Sequence, residues 1–205
     1  MGKHSGLKEA YHRRKREIEG RLSDFNKLKS ASEERLFEEL CFCLLTPQSK
    51  AHVCDKIVSD LKEEGLLLSG TKEKLWPFLK KARFYRKKTD YLVLARKLRI
   101  KDKIKDGLPF QIRQGLVEHV KGMGYKEASH FLRNIGLGEG LAILDIHILR
   151  SLKELGVIEK IPKSMSEKKY LEIEEKVRKF SSKINIPMSH LDLLFWSMGT
   201  GKIFK

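Results

Sequence analysis

The sequence predicts an all-α protein, and three observations carry that prediction. Apolar residues recur at helical spacing almost throughout the 205-residue chain. Val, Ile and Thr never alternate in runs bounded by hairpin turns. No internal repeat and no Pro/Gly/Ser-rich linker interrupts the pattern. Roughly ten helices with short connections follow.

Residues 7–29 predict an amphipathic basic helix that ends near Ser30-Ala31-Ser32. Ser32 followed by Glu33 and Glu34 marks the next helix start, with acids in the first turn. Leu36, Leu40, Cys43 and Leu44 share one face of that helix, and Thr46-Pro47-Gln48-Ser49 breaks it. A third helix runs from Lys50 to Glu64 and buries Val53, Ile57, Val58 and Leu61, with Gly65 and Gly70 as punctuation. Shorter helices over 72–82, 86–98 and 108–120 follow, with Pro109 in the first turn of the last. Residues 124–135, 145–155, 166–182 and 188–199 complete the set, and the 145–155 helix is expected to bury Ile146, Leu149, Leu152 and Leu155.

Composition excludes several classes. The chain is 40% hydrophobic and 34% charged, and no run approaches the ~18 apolar residues of a spanning helix. The opening residues lack the apolar core of a signal peptide, so export is not expected. Cys41, Cys43 and Cys54 form no disulfide framework, which suits a reducing cytoplasm, and they read as small core residues. Three Asn and three Gln in a Lys/Glu-rich chain suggest a prokaryotic thermophile. The net charge is +16, and residues 71–105 hold 14 Lys/Arg against three acids. Such a surface attracts polyanions, nucleic acid before anionic membrane. A solvated, lysine-rich face of a heat-stable protein is the structural alternative.

The most informative short segment is Val120-Lys121-Gly122-Met123-Gly124-Tyr125-Lys126. It joins a helix carrying Ile112, Leu116 and Val120 to one carrying Ala128, Phe131, Leu132 and Ile135. Two glycines one residue apart permit a tight turn at positive φ. They are expected to leave backbone N–H groups bare beside a helix N-terminus, where a phosphate binds. The arrangement resembles a helix–hairpin–helix, which grips the DNA backbone without reading sequence; an ordinary helix C-cap and turn is the alternative.

Lys126 opens the second helix of this pair, and Asp145 is the one acid in the apolar stretch Leu141–Leu149. A surface lysine and a helix N-cap are their structural readings. With the hairpin, KGMGYKEASHFLRNIG and LAILDIHILR resemble the active-site signature of helix–hairpin–helix DNA glycosylases with lyase activity. That family places a catalytic lysine just after its Gly-x-Gly and a catalytic aspartate about nineteen residues later. Carried over, the resemblance implies Lys126 as nucleophile and Asp145 as the carboxylate that steadies a cationic sugar. The chemistry is coherent. An amine attacks only when neutral, and burial beside other cations favours that form. The attacked atom is the sugar C1′ of an everted nucleotide. A carboxylate offsets the positive charge that develops as the base leaves, and the resulting Schiff base permits β-elimination.

No cysteine follows Cys54, which argues against the iron–sulfur members of the superfamily. The segments LLTPQSKA and KKARFYRKK and the tail PMSHLDLLFWSMGTGKIFK resemble the type 2 8-oxoguanine DNA glycosylase/AP lyases along nearly the whole chain. The resemblance implies a two-lobed helical fold with the active-site cleft between the lobes. Residues 31–133 form the middle lobe, ending in the hairpin module at 108–135; residues 1–30 and 134–205 form the other. It implies removal of 8-oxoguanine from double-stranded DNA, strand cleavage 3′ to the abasic site, a monomer, no membrane, and neither cofactor nor metal. It also implies that Lys205 takes part in telling 8-oxoguanine from guanine; a frayed terminus is its structural reading. Oxidation turns the guanine N7 acceptor into an N–H donor, so an acceptor aimed there favours the lesion.

Other candidates keep two readings each. Phe84 and Trp196 can sandwich the base or pack in a core. Asp192 can meet the base's polar edge or cap a helix. Pro47, Gln48 and Ser49, with Gln48 filling the gap left by the flipped nucleotide, can contact DNA or form a plain turn. Gly122, Met123 and Gly124 are the expected phosphate grip. His147 reads as a satisfied structural histidine. Two competing functions remain at this level: a non-catalytic helix–hairpin–helix DNA-binding module, and a basic helical protein binding anionic lipid or RNA.

Overall fold

The computed structural model describes residues 3–205. Its helices are α1 (Lys3–Lys27), α2 (Glu33–Leu45), α3 (Ala51–Glu63), α4 (Lys72–Leu79), α5 (Tyr85–Ala95), α6 (Ile100–Ile104), α7 (Pro109–His119), α8 (Tyr125–Asn134), α9 (Ile146–Glu154), α10 (Glu167–Ile184) and α11 (Met188–Thr200). A 3₁₀ turn at Leu28–Ser30 follows α1, and no strand occurs among the described residues. The helices predicted from periodicity are present within a few residues. The five-residue α6 is the addition. It is too short to show a period, and its N-terminus is held from elsewhere: the Glu33 carboxylate accepts from the Ile100 and Lys101 N–H groups. The chain divides into two compact units, Ser30–Phe131 and the residues up to Lys29 with Leu132–Lys205.

In the Ser30–Phe131 unit α2 is the central helix. The Ser32 side chain caps it by accepting from the Arg35 N–H at 3.2 Å. Its sequence period predicts one buried face, but Leu36, Phe37 and the whole run from Glu39 to Leu45 are buried. The reason is that α3, α5 and α6 all pack on it, and a helix surrounded by others is apolar all round. Cys41, Cys43 and Cys54 are fully buried in this core and form no disulfide. In α3 it is Cys54, with Ile57, Val58 and Leu61, that is buried, while Val53 is half-exposed.

In the other unit α11 is central, with α1, α9 and α10 around it. Leu7, Tyr11, Ile18 and Phe25 of α1 are buried at intervals of one or two turns. The Tyr11 hydroxyl lies 2.9 Å from His190 Nδ1. Burial holds the His190 imidazole below its ordinary pKa; Glu19 opposes the shift and Lys15 adds to it. The unfolded chain therefore takes up this proton near pH ~6.5, whereas the folded chain resists until lower pH. Stability is expected to fall as pH drops through that window and to level off below the folded value. Thermal melts of wild type and His190→Gln between pH 8 and pH 5 check this. The wild-type advantage should shrink on acidification; parallel slopes would remove His190 from the acid response.

Candidate active site

The hairpin sits between α7 and α8. Ile112, Leu116 and Val120 are buried on one side, Ala128 and Phe131 on the other. Arg113 of α7, 1% exposed, joins the two helices: its Nη1 donates to Ser129 Oγ at 3.2 Å, and its guanidinium lies 5.0 Å from the centre of the Tyr125 ring. Gly122 has φ 87°, and a Cβ there would lie 2.2 Å from the Tyr91 ring. Gly122 is thus required twice over, for its dihedral and for close approach. Two expectations are corrected. Gly124 does not share the positive φ. The N–H groups of the turn are not both bare either: Met123 N–H donates to Val120 O at 3.1 Å, and Gly124 N–H donates to Glu127 Oε2 at 3.3 Å.

Lys126 is the second residue of α8, and its side chain is 23% exposed. Its Nζ lies 3.4 Å from Glu127 Oε1. In the same unit lies Lys88 of α5, 4% exposed. Lys88 Nζ donates to Leu45 O at 2.6 Å, Pro47 O at 2.7 Å and Ser49 Oγ at 3.0 Å. Burial lowers the Lys88 pKa; the charge on Lys126 pushes the same way, while Cys54 and Glu127 oppose it. Burial raises the Cys54 thiol to about 11, so it is not a thiolate at neutral pH; its Sγ donates to Leu45 O at 3.3 Å.

Lys88 is therefore a hub. It fixes the Pro47–Ser49 turn, and Ser49 Oγ also accepts from the Arg83 N–H at 3.0 Å, which ties that turn to Phe84. Gln48 and Phe84 both hold positive φ, 54° and 58°, a conformation L-residues avoid and that clusters at functional positions. Phe84 is 51% exposed, and the Arg83 guanidinium lies 4.9 Å from its ring centre. Core packing is excluded for Phe84 on that exposure.

In the other unit Asp145 caps α9, its Oδ1 accepting from the Ile148 N–H at 2.8 Å. The residues before it, Leu141 to Leu144, are buried without regular structure. Side chains of α10 satisfy their backbone: Glu174 Oε2 accepts from Ala142 N–H at 2.7 Å, and the Tyr170 hydroxyl donates to Ala142 O at 2.6 Å. Tyr170 and Glu174 thereby set the height at which Asp145 emerges. Ile146, expected in the core, is 45% exposed; Ile148 is buried in its stead.

His147 is exposed in the first turn of α9, beside the buried Ile148 and Leu149. Its ring stands edge-on to Trp196 at 5.6 Å. Trp196 is half-exposed on α11. Asp192, one turn earlier, lies inside α11 and caps nothing. Its buried carboxylate is held by Arg133, whose guanidinium also bonds Asn134 Oδ1 and lies over Phe25. Ile203 is buried and Lys205 half-buried, so the tail is packed rather than frayed.

Sequence reasoning missed Lys88, Glu127, Arg113, Tyr170, Glu174 and Arg133. Glu127 carried a usable signal, since a Glu three residues after a helix start is a capping pattern. The others are charged or hydroxylated side chains whose partners lie far away in sequence.

An all-helical, basic chain with two amphipathic helices clamped about a Gly-x-Gly turn, and a lysine at the head of the second, is a helix–hairpin–helix protein. The family model for 8-oxoguanine DNA glycosylase matches residues 18–186. The 8-oxoguanine DNA glycosylase/AP lyase of Fusobacterium nucleatum is 45% identical over 90% of this chain and 89% of its own length. That of Methanocaldococcus jannaschii is 43% identical over 92% and 91%. The crystal structure of the Methanocaldococcus jannaschii 8-oxoguanine glycosylase/lyase, in complex with a 15-mer DNA containing 8-oxoguanine, matches with a TM-score of 0.92. It is 40% identical, over 98% of this chain and 99% of that one. This chain belongs to the 8-oxoguanine DNA glycosylase family. Its relatives come from bacteria and archaea, thermophiles among them, and no helix of the described residues is long and apolar enough to cross a membrane.

Proposed function

We propose that the protein is a bifunctional glycosylase/AP lyase that excises 8-oxoguanine from double-stranded DNA. The observation that carries this is the half-buried Lys126 amine at the start of α8, directly after the hairpin, in a chain whose relatives share that name. The neutral Lys126 Nζ attacks C1′ of an everted nucleotide. The N-glycosidic bond breaks and the base leaves with its electron pair. The amine loses a proton, the sugar ring opens, and a Schiff base joins Nζ to C1′. Loss of a C2′ proton then expels the 3′ phosphate, which cuts the strand, and water releases the lysine. Asp145 offsets the positive charge that develops on the sugar. A DNA-binding module without chemistry accounts for the hairpin and leaves Lys126 without a task.

Phe84 supplies an exposed aromatic face for the base and the half-buried Trp196 a second, Asp192 a carboxylate oriented by Arg133, and the Gly122–Gly124 and Pro47–Ser49 turns contacts to the duplex. The setting is a monomer working at the nucleoid of a prokaryotic cytoplasm. Incubation with an 8-oxoguanine duplex and borohydride tests the reading: a covalent protein–DNA adduct is expected, absent with an undamaged duplex. No adduct with any damaged base would overturn it. Lys205 serves base discrimination. Its deletion should lower the preference for 8-oxoguanine over guanine more than it lowers abasic-site cleavage, measured on the same preparation; equal losses contradict that role.

A further inference from the structure

Adjacent residues on a helix do not face each other, so the contact between Lys126 and Glu127 needs a local cause. Glu127 lies in the first turn of α8 and curls back over it. Its Oε2 accepts from the Gly124 N–H at 3.3 Å, and this brings Oε1 to 3.4 Å from Lys126 Nζ. One carboxylate thus touches both the hairpin backbone and the amine, and it is largely buried, with 15% of its side chain exposed. A Cβ on Gly124 would lie 3.1 Å from Glu127 Oε2. A side chain at position 124 would thus press on the same carboxylate oxygen that accepts from the Gly124 N–H. Lys88, whose ammonium is fixed on three oxygens, feels the charges of both Lys126 and Glu127.

We propose that Glu127 is a positioning residue that couples the Lys126 amine to the hairpin, so that docking of the hairpin on the DNA backbone also sets the nucleophile. The proposal rests on Lys126 being the nucleophile. A lysine side chain carries four rotatable bonds and about 2 kcal/mol of rotamer entropy. An amine held beside the Glu127 carboxylate reaches C1′ from a narrow set of those rotamers. The spread that follows loss of the carboxylate costs rate without costing DNA affinity.

Glu127→Gln is the test, because glutamine keeps the length and an acceptor for the Gly124 N–H while losing the charge at Lys126. With protein saturating over an abasic-site duplex, borohydride trapping should slow by roughly tenfold or more, while the Kd for that duplex stays within about twofold. Glu127→Ala, which loses both contacts, should also weaken binding. Trapping by Glu127→Gln at or above the wild-type rate would overturn the proposal, as would a loss of affinity matching the loss of rate. Lys126→Gln run alongside separates the two levels: if it still traps, the nucleophile assignment has failed, whereas an inactive Lys126→Gln beside a fully active Glu127→Gln removes Glu127 alone.

Discussion

Lys126→Gln leaves the protein folded and bound to DNA but unable to form the borohydride adduct, with abasic-site cleavage reduced at least about a thousandfold. The folded state loses little. The side chain is partly exposed and ends in an ion pair with Glu127 at 3.4 Å, within one turn of helix. The chemical step loses the only amine the α8 N-terminus offers to a sugar carbon. Lys88 cannot substitute, because its Nζ is committed to Leu45 O, Pro47 O and Ser49 Oγ at 2.6, 2.7 and 3.0 Å. The measurement is adduct yield on a denaturing gel with a melting curve beside it. A wild-type yield would place the Schiff base on another residue.

Asp145→Asn should remove most base excision, on the order of a hundredfold or more, with the fold intact. Asparagine caps a helix about as well as aspartate, so the 2.8 Å bond from Ile148 N–H survives and α9 begins where it did. What disappears is the negative charge beside a sugar that becomes cationic as the base departs. Asp145→Ala separates the two jobs: it should add about 1 kcal/mol of destabilisation from the lost cap to the same catalytic defect. Single-turnover excision and thermal melts report the two effects independently. Unchanged excision by the asparagine variant would leave Asp145 a cap and nothing more.

Asp145 shows why sequence context alone permits two answers, a cap or a carboxylate for chemistry. An acid before an apolar helix is a good cap whatever else it does, and the observed cap leaves the charge available for chemistry. Lys126 was legible for the opposite reason. Local signals converge there, with Gly122, Gly124 and two amphipathic helices within about seven turns of chain. Asp192 and His147 were not legible. The partner of Asp192 is Arg133, fifty-nine residues away, and the exposure of His147 depends on how α9 meets α11.

By itself the sequence determined the helical class, the helix boundaries to within a few residues, the hairpin and the spacing of Lys126 from Asp145. All of these are written in short-range periodicity, caps and breakers. Only the tertiary structure decided that α3, α5 and α6 all pack on α2, that Tyr170 and Glu174 hold the irregular run ahead of Asp145, and that Lys88 carries the Pro47–Ser49 turn. The last two depend on a buried polar group finding its partner across tens of residues. A lone lysine, tyrosine or glutamate looks the same in sequence whether water or a distant carbonyl satisfies it.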